Sequence, residues 1–217
     1  MSTTGSIFDA IAAGAMDQVT SLADASPALL DERDAQGATP ILMALYHGKP
    51  DIAGALADRK PALDLFESAA MGRLDRVREL LAADATGIDA ISADGFPLVS
   101  LAAFFGRFEI AEWLIDRGAD VNAISTNGMA LRPIHAAAAR SAEATMRKLL
   151  TAGADPNAQQ RGGWTALHSA AKHGNPALVD LLLEHRADTS IRSDDGKTAR
   201  DMAAEAGHGP IADRLGC

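Results

Sequence analysis

Aromatic side chains are scarce: six Phe, two Trp and one Tyr make up 4% of the 217 residues. The apolar content of 47% therefore leans on alanine. Such a composition suits helices packed at short distance and does not suit a β-sandwich. Cysteine is nearly absent. The single Cys217 cannot close an intramolecular disulfide or build a thiolate metal site, and it is compatible with a reducing compartment. Runs of Lys and Arg are missing and the formal net charge is −9, so neither nucleic acid nor an acidic membrane surface is an expected partner. No stretch of 18 apolar residues is free of charge, and no spanning helix is expected. The first residues, Met1 to Ser6, lack the basic-then-apolar order of a secretory leader, which makes the cytoplasm the expected location.

What is present is a period. Gly95, Gly163 and Gly196 each follow a polar segment and precede a helical pattern, and Gly106, Gly174 and Gly207 fall eleven residues after them. Gly37 and Gly48 form the same pair near the N-terminus. The unit is near 33 residues long, a length that signals a solenoid. Each unit reads as a turn, a short Ala-rich helix such as Ala166 to Lys172, a glycine break, and a second helix such as Pro176 to Glu184. In the latter, Val179, Leu182 and Leu183 share one face. Paired alanines (Ala102 and Ala103, Ala136 and Ala137, Ala170 and Ala171, Ala203 and Ala204) leave room for neighbouring units to stack closely.

The segment Gly163-Trp164-Thr165-Ala166-Leu167-His168-Ser169-Ala170-Ala171-Lys172-His173-Gly174 resembles the opening helix of an ankyrin repeat. Gly118-Ala119-Asp120-Val121-Asn122-Ala123 and Gly153-Ala154-Asp155-Pro156-Asn157-Ala158 resemble its closing loop. The resemblance implies an all-α ankyrin-repeat solenoid of about seven units beginning near residues 1, 34, 61, 92, 125, 160 and 193, the end units acting as caps. The chain, 1–217, is then one array. High alanine content, short length and the lack of an appended domain look more like bacterial stand-alone members than eukaryotic ones.

Two departures interrupt the pattern. Gly48 and Gly72 are only 24 residues apart, so a junction near 49–63 is truncated and a kink or offset is expected there. In the fifth unit, Gly106 and its counterpart Ser141 are 35 apart, which lengthens the finger near 125–134 by two residues. The fourth unit, Gly95-Phe96-Pro97-Leu98-Val99-Ser100, lacks the usual Thr and His. Phe8 and Phe66 stand where the family's His is expected in their short helices.

Most histidines receive structural roles by this resemblance. His135 and His168 fall where the family's His bonds turn backbone, His208 caps a turn, and His185 ends an outer helix where a cation suits the helix dipole. Asp120, Asp155 and Asp188 recur at the loop position and should bond backbone. No Ser-His-Asp order, His-Glu-x-x-His motif or phosphate loop occurs. No enzyme, cofactor or metal site is expected.

The binding surface is expected in the concave groove lined by turn tips and first helices. The residue after each turn glycine (Ala38, Phe96, Met129, Trp164, Lys197) is one groove position. The pair before the inter-helix glycine is another, and includes Tyr46 and His47, Phe104 and Phe105, and Lys172 and His173. Five of the nine aromatic residues fall there, against a bland alternative in which they fill gaps between irregular units. Phe108 and Trp113 are expected in core or inter-unit packing. Leu131 and Arg132 near the lengthened finger complete the candidate site, which centres recognition on residues 92–158.

The favoured reading is a non-enzymatic scaffold that holds a partner protein in an aromatic-containing groove. The alternatives are a structural or self-associating subunit, through a thin C-terminal cap spanning 207–217 with an uncovered apolar end, and a small-molecule enzyme using His47 or His173 as base with Lys172 nearby. A monomer is expected, with end-to-end association as the variant.

Overall fold

The computed structural model describes residues 6–216. Seven helix pairs follow one another among these residues, and no strand longer than an isolated bridge occurs. The inner helices are α1 (Ile7–Ala13), α3 (Pro40–Tyr46), α5 (Leu65–Met71), α7 (Leu98–Phe104), α9 (Pro133–Ala139), α11 (Ala166–Lys172) and α13 (Ala199–Glu205). The outer helices are α2 (Met16–Ala25), α4 (Pro50–Ala57), α6 (Leu74–Ala83), α8 (Phe108–Asp116), α10 (Glu143–Thr151), α12 (Pro176–Glu184) and α14 (Gly209–Arg214). Helices this short are not stable alone. Each is held by burial against the next unit: Ala69, Ala102, Ala103, Ala137, Ala138, Ala170, Ala171 and Ala203 have no exposed surface, and Leu98, Leu114, Met146, Leu149 and Leu182 are fully buried beside them. Each such large side chain contributes about 1.5–3 kcal/mol relative to exposure.

Turn chemistry starts and stops the helices. Thr39, Thr165 and Thr198 cap α3, α11 and α13 through their hydroxyls. The break between paired helices requires a left-handed residue, and in the fifth unit Ser141 supplies it with φ 53°, at the place expected from the spacing.

Between units the chain folds a finger. Its first residue clamps a later one through both backbone and side chain. Ser92 N–H donates to Phe96 O at 2.9 Å while Ser92 Oγ accepts from Phe96 N–H at 2.9 Å; Asp34 with Ala38 and Ser193 with Lys197 do the same four residues apart. In the fifth unit the clamp runs from Ser125 to Leu131, six apart, so the two additional residues lie inside the finger. Fingers then join in a ladder: Thr126 N–H donates to Gly95 O (2.8 Å), Arg161 to Met129 O (2.8 Å) and Asp194 to Gly162 O (2.9 Å).

The third unit has no finger. Residues 58–64 alone join α4 to α5, seven residues where 84–97, 152–165 and 185–198 each have fourteen. The second finger therefore lies directly on the fourth. A Cβ built on Gly37, whose φ is +94°, would sit 2.4 Å from the Ala93 carbonyl oxygen. The hydrogen-bond ladder stops here: the Gly37 carbonyl is taken by Arg33 Nη1 at 3.0 Å, as Arg192 Nη1 takes that of Gly196 on the last finger. The core divides at the same place. One cluster serves the first two units and another the third to seventh. A small third cluster of Ala38, Leu42, Ala70, Phe96 and Leu101 bridges them.

A buried ion pair stabilises the shortened connection. Glu67 is 0% exposed; its carboxylate accepts from Asp64 N–H at 3.1 Å and from Lys60 Nζ at 2.8 Å. Lys60 also donates to Leu30 O at 3.2 Å and pairs with Asp31 at 2.9 Å. Burial opposes the ammonium charge, but the bonds to Glu67 and Asp31 prevail and hold Lys60 above its ordinary pKa. Glu67 is the third residue of α5, and Asp9 the third of α1, each closing a capping box. These acids, not Phe66 and Phe8, occupy the histidine position; the expectation was one residue out of frame because neither unit has the Thr that marks the helix start. In the fourth unit the position is Ser100, whose buried Oγ has no hydrogen-bond partner, and Pro97 precedes the helix without a side-chain cap.

The C-terminal end is covered more fully than expected: Ile211, Ala212 and Leu215 are buried, and Arg214 pairs with Asp180 at 2.6 Å. Among the described residues the large hydrophobics left exposed are Ile91, Ile124 and Met129, none of them in the last helix pair. Cys217 lies outside the described residues.

Two predictions test the junction. Gly37→Ala and Gly196→Ala share a positive φ, but only Gly37 meets another finger. Urea unfolding followed by circular dichroism should show Gly37→Ala costing about 1–3 kcal/mol more, the typical penalty of overpacking. Lys60→Met leaves Glu67 buried and unpaired and should cost about 3–5 kcal/mol. Lys60→Met combined with Glu67→Gln should recover part of that loss; additive losses would show that the pair is not coupled.

Candidate functional site

Where the finger is missing, a hollow of about 530 Å³ opens between the fingers and the ends of α3 and α7. Tyr46 and Met43 from α3, Phe104 from α7, and Ala38, Phe96 and Met129 from three fingers form its apolar wall. Asp34, Gln36, His47, Asp94 and Asn127 add polar groups. The volume falls within the range of small binding pockets. Tyr46 spans the gap: its Oη donates to Asp94 Oδ2 at 2.6 Å, 48 residues away. Burial, then this bond and the charges of Asp94 and Asp34, push the Tyr46 phenol far above its ordinary range, so it acts as a neutral donor. Asp94 Oδ1 is taken by Ser92 Oγ. The Tyr46 ring lies 6.1 Å from Phe96, 6.0 Å from Phe104 and 5.0 Å from Phe105, centroid to centroid.

The expected aromatic groove is corrected in part by this packing. Phe96 is only 5% exposed and belongs to the bridging cluster. Tyr46, Phe104 and Phe105 are half-buried against one another. Ala38, at the same finger position as Phe96, is buried too. Met129 is 46% exposed, and His47 is exposed. Leu131 packs half-buried on the cores below it. Arg132, expected as a contact at the rim, is half-buried at the start of α9 with its Nε unpartnered.

Trp164 and Lys172 form a second, smaller hollow of about 300 Å³ with Asp195, Lys197, Met202 and Glu205. Lys172 Nζ stands 4.8 Å from the centre of the half-buried Trp164 ring. The exposed His173 ring is tied to its own helix, Nδ1 to Ser169 O at 2.8 Å. Trp113 is half-buried and packs against the main apolar cluster, in keeping with the expected core or inter-unit packing, with the Arg117 guanidinium 3.9 Å above its ring and that of Arg78 at 5.8 Å.

The candidate residues thus separate into two groups, and the larger hollow draws its wall from the second unit as well as from the fourth and fifth. Sequence reasoning missed Asp34, Met43, Asp94 and Asn127. The signal that pointed to them was the 24-residue glycine spacing: a missing finger exposes the two that flank it.

Beside the hollow, the histidines are structural. His135 Nδ1 accepts from Arg132 N–H at 3.0 Å, so Nε2 carries the proton and donates to Ala158 O at 2.9 Å. His168 repeats this with Thr165 and Lys197 O, and His208 Nε2 bonds Lys172 O at 3.1 Å. Asp120, Asp155 and Asp188 each accept from the backbone N–H two residues on, as the repeat implied. Among the described residues no cluster of three His, Cys, Asp or Glu is placed to hold a metal, and no helix is long and apolar enough to cross a membrane.

A stack of helix pairs with protruding fingers, tied by neutral histidines, is a helical-repeat solenoid. Two family models match it: one described as ankyrin repeats (3 copies) over residues 134–216, the other as ankyrin repeats (many copies) over residues 98–150. Together they cover more than half of the chain, which belongs to the ankyrin-repeat family. Repeats of this family in general mediate protein–protein interaction. The chain is 31% identical over 142 residues to alpha-latrocrustotoxin-Lt1a of Latrodectus tredecimguttatus, which is 62% of this chain and 10% of the toxin. It is 30% identical over 106 residues to the inactive serine/threonine-protein kinase TEX14 of Mus musculus, 49% of this chain and 7% of that protein. It is 32% identical over 65 residues to ankyrin repeat and SAM domain-containing protein 6 of Danio rerio, 30% of this chain and 9% of that protein. The chain thus spans a tenth or less of the length of these relatives. All three are animal proteins, and they lend no support to the bacterial resemblance.

His135 carries a pH prediction. Burial, with the opposing bond to Ala158 and the nearby Arg132 charge, lowers its pKa to about 4, and burial lowers that of His168. Unfolding restores an ordinary value near 6.5, so the unfolded chain binds more protons between these values. Stability is then full above about pH 6.5 and falls as pH drops toward 4, by about 3 kcal/mol for His135 alone. Urea midpoints at pH 7.5, 5.5 and 4.5 should show the fall, and His135→Gln should flatten it.

Proposed function

We propose that this chain is a non-enzymatic scaffold that holds a partner protein along its groove, with the hollow beside Tyr46 as the main anchor and the Trp164 hollow as a second contact. The observation that carries this reading is the pairing of an apolar, half-open hollow with an exposed Met129 at its lip. Methionine adapts to varied surfaces, and ring-lined hollows with polar rims are where interface energy concentrates. Family membership supports the same class of function. An enzymatic role has weaker support: the His173 ring is tied to backbone and the His47 ring is exposed.

A photo-reactive amino acid placed at Met129, at Trp164 or, as a control, at the exposed Glu109 on α8 tests this in native lysate. A partner protein should be captured at Met129 and Trp164 and not at Glu109. Trp164→Ala should weaken that partner's binding about tenfold, the usual effect of losing an interface anchor. Capture from Glu109 alone would overturn the groove assignment.

A further inference from the structure

The hollow beside Tyr46 has one sign of charge. Asp34 and Asp94 both line it, and no Lys or Arg does. Asp94 is spent internally, on Tyr46 and Ser92. Asp34 differs. Its Oδ1 accepts from Gln36 N–H and Ala38 N–H at 2.9 Å each, and it enters no ion pair among the described residues. Its charge nevertheless reaches the Tyr46 phenol.

Both tryptophans are covered by a cation: Arg117 stands 3.9 Å from the centre of Trp113 and Lys172 4.8 Å from that of Trp164. Of the rings that line the hollow, Phe104 has the Arg140 guanidinium 5.8 Å from its centre, with Arg140 Nε donating to the Phe104 carbonyl, and among the described residues no cation stands over Tyr46 or Phe96. A purely apolar occupant would bury the Asp34 charge with two backbone amide bonds but no countercharge, which is costly. An anion would be repelled. A guanidinium is planar, weakly hydrated, and suited at once to ring faces and to a carboxylate; its methylene stem suits the methionines.

We propose that the hollow receives an arginine side chain of the partner, with its charge toward Asp34 and its stem against Met43 and Met129. This rests on the reading of the groove as a partner-binding surface and adds the chemistry of the residue that anchors there.

The test uses the seven methionines as carbon-13 methyl probes in nuclear magnetic resonance. N-acetyl-arginine amide and N-acetyl-leucine amide are titrated in turn, with the Met43 and Met129 signals assigned by Met43→Leu and Met129→Leu. Arginine amide should shift both signals and bind about fivefold or more tightly than leucine amide, with raised salt weakening it. Asp34→Asn keeps an Oδ1 to accept the two amides but removes the charge, so it should lower arginine affinity about fivefold without shifting the unfolding midpoint. Equal binding of leucine amide, equal binding to Asp34→Asn, or shifts at Met202 with none at Met43 and Met129 would each overturn the proposal. A partner captured at Met129 that binds Asp34→Asn unchanged would remove the arginine and leave the surface. Arginine amide binding without capture at Met129 would do the reverse.

Discussion

The hydrogen bond from Tyr46 to Asp94 crosses the one place where the repeat fails, and much of the surrounding arrangement depends on that failure. In a regular array each finger donates to the one before it. Here one finger is missing, its neighbours pack closely at Gly37 and through Ala38 and Phe96, and the ladder has no rung. A tyrosine reaching over the intervening helix supplies the polar link, and its ring, with Phe96, Phe104 and Phe105, supplies the bulk. The scarcity of aromatics elsewhere makes the concentration intelligible. Regular units need small residues between inner helices, and four of the nine aromatic rings gather at the defect.

The same defect changes how inner helices are secured. In the fifth and sixth units a neutral histidine ties the helix start to the next finger. The third unit has no finger of its own, and Glu67 in that position turns to Lys60 and the first turn of its own helix instead. A carboxylate does there what an imidazole does elsewhere, at the expense of burying a charge that must stay paired. The fourth unit has neither: Ser100 is too short, and its finger is held by Tyr46 from behind and by Thr126 and Asn127 from ahead.

Much of the fold was legible in the spacing of Gly95, Gly106, Gly163 and Gly174, because each unit repeats the same backbone requirement at the same distance. The 24-residue spacing from Gly48 to Gly72 and the 35-residue spacing from Gly106 to Ser141 stand out against that period for the same reason. The frame of individual positions was less so. Phe66 was placed where Glu67 sits because a unit without Thr offers no local marker of its helix start. The candidate site was legible only by halves. Tyr46, His47, Phe104 and Met129 line the hollow, but the burial of Phe96 and the arrival of Asp34 and Asp94 follow from contacts between distant fingers, and local pattern does not encode which fingers meet when one is absent.

The division of the core has a geometric consequence. The first two units share one apolar cluster and the last five another, with only five buried residues bridging them. The first two units are thus seated on the last five through few side chains, and the seat lies where the Tyr46–Asp94 bond and the Lys60–Glu67 pair lie.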